Sequence, residues 1–167
     1  MSRTLVSLAR RRGRLPALVA ALGVAAALVV MRLLNSVLAA EPLGDAVVEF
    51  LPVALPFALG VFLGLWRIAP LAGELTMPFV FTRGGLATAA GAILVILAHL
   101  VITAVEALDG GGLDARELAQ GAVADVLAGA GSFVNFLIPV LFASVLLWLW
   151  LREHPRDYAV SGLIDEV

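Results

Sequence analysis

The chain has no cysteine and no lysine, and few charges of either sign. Without cysteine there can be no disulfide, no thiolate metal site and no cysteine nucleophile. Without lysine, all 11 basic residues are arginine, and alanine, glycine, valine and leucine abound. That bias fits a GC-rich prokaryotic genome. Charged residues are 14% of the sequence, where a soluble domain carries about 25%. The net charge of −2 offers nothing to a nucleic acid. No Walker loop, HExxH helix, GxSxG elbow or pair of intramembrane aspartates occurs. The glycines at 110–112 follow no strand-like run, so they read as a turn and not as a nucleotide loop. No enzymatic activity, cofactor or metal is therefore expected.

What remains is apolar: 62% hydrophobic residues and a mean hydropathy of +1.04. Four long stretches, residues 15–39, 47–66, 85–105 and 132–151, each come near the ~20 residues that cross a ~30 Å hydrocarbon layer. In lipid the backbone must satisfy its own hydrogen bonds, and the alternation of barrel strands is missing, so each stretch is expected to be a helix. The fold class expected is an all-α membrane protein, a four-transmembrane-helix bundle. It should form one integral membrane domain over residues 1–167, because four spans of ~20 residues leave no room for a second.

Arginine sets the expected orientation. Arg3, Arg10, Arg11, Arg12 and Arg14 precede the first span, Arg67 and Arg83 flank the middle loop, and Arg152 and Arg156 follow the fourth. The positive-inside rule then puts both termini and the middle loop in the cytoplasm of a prokaryotic cell with a multi-pass protein in its plasma membrane. The opposite face collects Glu41, Asp45, Glu49, Glu106, Asp109, Asp114, Glu117 and Asp125. The basic start followed by an apolar run resembles a secretory signal, but a retained anchor is the expectation. Its first residues could also lie as a short helix among the headgroups.

Two loops carry more than connection. Residues 114–128 place Leu118, Val123, Val126 and Leu127 among Glu117, Gln120 and Asp125. This predicts a short amphipathic helix on the far face, with Gly129 and Gly131 marking a bend before the fourth span. The alternative is a pre-helix running straight into that span. Pro70, Gly73, Pro78, Gly84 and Gly85 predict a broken middle loop. Its apolar patch at 77–81 is expected to anchor at the interface or to face another subunit.

The second and fourth spans look alike. Val48, Glu49, Phe50 and Leu51 align with Val134, Asn135, Phe136 and Leu137, each with proline close behind. Leu65, Trp66 and Arg67 resemble Leu149, Trp150 and Arg152. Two related helical hairpins in parallel orientation would account for this.

Intramembrane polar residues are the candidates for function, because they are costly in lipid. Arg32 either snorkels or pairs with Glu49 or Glu106. His99 and Thr103 share a helical face. The only other histidine, His154, stands at the opposite end of the membrane, which argues against a bis-histidine haem and against zinc. Asn35, Ser36, Asn135 and Ser144 can hydrogen-bond between helices. Arg32, Glu49, His99, Thr103, Glu106 and Asn135 thus form the candidate polar network. Gly60, Gly64 and Gly91 supply small-residue spacing for close helix packing, with a dimer face as the alternative. Pro52 and Pro56 predict a kink. Trp66, Trp148, Trp150 and Tyr158 are the expected interfacial anchors.

The function expected is that of a structural or accessory membrane protein packed in a larger homo- or hetero-oligomeric assembly. Its partners would be the lipid bilayer and other membrane subunits or copies of itself. A small oligomeric transporter or channel is the first alternative and a membrane-anchor subunit of a redox complex the second. Convergence of the polar candidates on one interior line would favour transport; scatter would favour scaffolding.

Overall fold

The computed structural model describes residues 3–39, 42–109 and 115–153, with side chains described except at 3–15, 43, 45–47, 49, 107–109 and 115–118. Among the described residues there is no strand. The elements are α1 (Arg3–Ala39), α2 (Leu43–Leu63), a π-helical turn (Gly64–Ile68), α3 (Met77–Asp109) and α4 (Ala115–Glu153). Four segments are long and apolar enough to cross a membrane: Pro16–Ala39, Phe50–Ile68, Met77–Glu106 and Ala119–Glu153. In an 18-residue apolar stretch of each, only 22% to 33% of the residues are buried. Leu38 is 85% exposed and Ile138 76%. Water would penalise so much open hydrocarbon; lipid does not.

Two expectations change. The third span does not begin at Gly85: α3 starts at Met77, so the patch at 77–81 is its first turn and not a separate anchor. Pro78 is tolerated there because the first turn has no intrahelical acceptor for its missing N–H. Thr76 starts the helix, its carbonyl accepting the amides of Phe79 and Val80. The segment 114–128 is likewise not a separate amphipathic helix, because α4 runs unbroken from Ala115 through Gly129 and Gly131. Gly129 serves packing: a Cβ on it would fall 2.1 Å from Ile96 Cγ1 of α3. Both prolines of α2, Pro52 and Pro56, lie inside the helix.

The π turn has a local cause. Pro70 stops the helix, and before it the amide of Ala69 reaches five residues back to the Gly64 carbonyl at 2.8 Å. The connection that follows is pinned. Trp148 of α4 donates its indole N–H to the Leu75 carbonyl at 2.9 Å, and Arg83 donates to the Pro70 carbonyl.

α1 packs on α2 and α4, α2 on α3, and α3 on α4. With lipid outside, contact between helices comes from close fit, so small residues set the spacing. Gly60 lies against Ala90 and Gly91, where a Cβ would meet backbone atoms at 2.5 Å. Gly64 lies on Ala87, and Gly91 faces the ring of Phe57. The interior is filled by Val24, Leu28, Phe57, Val61, Val95 and Val140. Phe136 of α4 meets Phe57 edge-on at 4.8 Å and Phe50 at 6.2 Å.

Candidate functional site: a carboxylate between the third and fourth helices

His99 and Thr103 stand one turn apart on α3 and face Asp125 of α4. The Thr103 hydroxyl donates to Asp125 Oδ2 at 3.0 Å. His99 Nδ1 lies 3.8 Å from Asp125 Oδ1, which is ion-pair range for a protonated imidazole but too long for a hydrogen bond. The side chains are 22% (His99) and 15% (Asp125) exposed. Glycine makes the approach possible. Gly121, Asp125 and Gly129 recur every four residues and so line one face of α4. A Cβ on Gly121 would sit 3.3 Å from the Thr103 methyl.

The cluster lies within the two segments that are long and apolar enough to cross a membrane. His99 is about 10 Å along α3 from Glu106, and Asp125 about 9 Å along α4 from Ala119, at 1.5 Å per residue. An acid, an imidazole and a hydroxyl are thereby held together across two helices. They can hold or pass a proton and can lock α3 to α4. They do not make a metal site: among the described residues no group of three His, Asp or Glu side chains is placed to bind one.

The other candidates do not join this cluster. Glu106 lies near Thr103 on α3 but is exposed. Asn135 is exposed on α4, and Arg32 is half-buried on α1. Glu49 belongs to α2, with its side chain outside the described residues, as are Tyr158 and His154 altogether. The hydroxyls of Ser36 and Ser144 are fully buried and have no hydrogen-bond partner among the described residues. Other hydroxyls turn back on their own helix: Thr82 to Pro78, Thr88 to Gly84 and Ser132 to Ala128, each at 2.9 Å.

Asp125 was not among the sequence candidates for the intramembrane network. The sequence places it with the acids of the far face. The usable signal was the glycine on either side of it at four-residue spacing, which marks a packed face.

The arginine-rich end gathers aromatic and cationic groups. The guanidinium of Arg67 lies 4.3 Å from the Trp66 ring centre, and Trp66 stacks on Phe62 at 5.3 Å. The guanidinium of Arg152 lies 5.5 Å from the ring centre of Trp148. Trp148 is itself buried, while Trp150 is 39% exposed. Gly73, Glu74, Thr76, Trp148 and Arg152 border an open cavity of about 450 Å³ there. No known protein family, curated protein or solved structure matches this chain.

Proposed function

We propose that the chain is a structural or accessory subunit of a larger membrane assembly. In this reading it is a four-helix bundle in a prokaryotic plasma membrane, with both termini on the cytoplasmic side. Other membrane subunits or further copies of itself cover its flanks. The observation that carries the reading is Asn135. This residue is exposed and has no hydrogen-bond partner among the described residues. It lies inside the apolar segment Ala119–Glu153, next to Phe136, whose ring meets Phe50 and Phe57 of α2. A primary amide facing hydrocarbon there would forgo its hydrogen bonds, which is costly. A neighbouring protein removes that cost.

Scatter of the polar groups supports the same reading. His99 and Thr103 are engaged with Asp125, whereas Glu106 and Asn135 point elsewhere. One observation favours transport instead: the acid–imidazole cluster could relay protons in an oligomer. Its position on the seam between two helices, each locked to the other by glycine contacts, favours a structural role.

The test is extraction from native membranes into polymer-bounded lipid discs, followed by native mass spectrometry. A particle heavier than one 17.4 kDa chain plus lipid is expected. Recovery of single chains alone at native expression would end the proposal.

A further inference from the structure

Resting on the assembly reading above, we infer that the exposed face of α4 around Asn135 is a two-fold interface with a second copy of this chain. Four observations on one face converge. The first is the exposed Asn135 amide, which has no hydrogen-bond partner among the described residues and lies inside the apolar segment Ala119–Glu153. The second is Gly131, one turn earlier, where an added Cβ would meet nothing within 4 Å. Every other glycine discussed on α4 is filled by α3; this one is open. The third is Pro139, one turn later. It has no N–H, so the carbonyl of Asn135 loses its usual helical donor. The fourth is the surrounding surface: Val134 is 69% exposed, Ile138 76% and Phe142 64%.

The occupant follows from symmetry and chemistry. Every copy inserts with the same topology, so an axis along the membrane normal brings each residue against itself at the same depth. A carboxylate or guanidinium there would meet its own charge. A primary amide is both donor and acceptor, so two copies can exchange hydrogen bonds reciprocally. The bare Gly131 lets the helices come close enough, as small residues do in membrane helix pairs. A different protein would need its own polar group at this one depth; a second copy has it automatically.

The experiment uses the full chain in its native membranes, co-expressed with two different tags. A photo-crosslinking residue replaces Ile138 in one set and Leu55 of α2, 63% exposed, in a control set. The expected product is a doubly tagged adduct of twice the 17.4 kDa chain mass, formed from position 138 and not from 55. Asn135→Leu should lower its yield roughly 3- to 30-fold, the range for one interhelical hydrogen bond in a membrane, and Asn135→Gln should restore most of it. Because residue 135 is on the outer face, neither variant disturbs the interior, and unchanged thermal stability in detergent checks this. Equal adducts from both positions, or a yield indifferent to Asn135→Leu, overturn the inference. An adduct only with a different protein also overturns it but leaves the assembly reading standing. Absence of any protein adduct removes both.

Discussion

Thr103 and Asp125 should be energetically coupled, and the size of the coupling can be worked out beforehand. Their bond is 3.0 Å long, crosses between α3 and α4, and ends on a carboxylate that is 15% exposed. Hydrogen bonds to charged groups contribute about 1.5–3 kcal/mol in soluble proteins, but interhelical bonds in a membrane average about 0.6 and reach about 1.7. Partial solvent access and the membrane reference state both pull the value down, so about 1–2 kcal/mol is expected. His99 adds less, because at 3.8 Å it interacts only when protonated. Asp125→Ala alone would mislead, since it also relieves the cost of holding a carboxylate in a largely buried place. A double-mutant cycle removes that term. Wild type, Thr103→Val, Asp125→Ala and the double variant would be unfolded at equilibrium in mixed micelles with increasing dodecyl sulfate. At this chain size 1 kcal/mol corresponds to about 2–4 °C in Tm, so thermal scans should show the same non-additivity. Asp125→Asn keeps an acceptor for Thr103 and should cost less than Asp125→Ala. Coupling below about 0.3 kcal/mol, or an Asn variant as damaged as the Ala variant, would refute the reasoning.

Two further outcomes follow from the packing and the charge pattern. Gly60→Val should destabilise by about 3 kcal/mol or more, because its Cβ would strike α3 backbone atoms at 2.5 Å; Gly23→Ala, with nothing within 4 Å, should be neutral or gain up to about 1 kcal/mol from helix propensity. Retention of wild-type stability by Gly60→Val would show that the seam yields. Because the chain lacks cysteine, single cysteines at Ala72 and Gly111 can be labelled with an impermeant maleimide. Ala72 should react from the cytoplasmic side and Gly111 from the other, and reaction of both from one side contradicts the topology.

The spans were legible because hydropathy over a long window is a property of composition alone. Their limits were not. Pro78, Gly84 and Gly85 read as breakers, yet Pro78 sits in a first turn and a Cβ on Gly84 would come within 3.0 Å of Ser144 Oγ. A glycine needed for contact and a glycine needed for a bend look the same until the neighbouring helix is known. Gly129 likewise reads as a bend in sequence, yet α4 runs through it against Ile96. The pairing of His99 and Thr103 on one face came from periodicity, but their acceptor lies 22 residues beyond Thr103, on another helix. Convergence across elements is a tertiary fact. Asn135 could be singled out as polar, but whether it faced the interior could not be read from a helix apolar on most sides.

The helices are unequal. α2 has 21 residues and α4 has 39, or about 31 and 58 Å of rise. Lipid trimmed to the shorter rod leaves the longer one protruding like a mast, or leaning until it fits. Bilayer thickness thereby becomes a variable the molecule can register: a thicker sheet would swallow the ends of α4, and a thinner one would bare them.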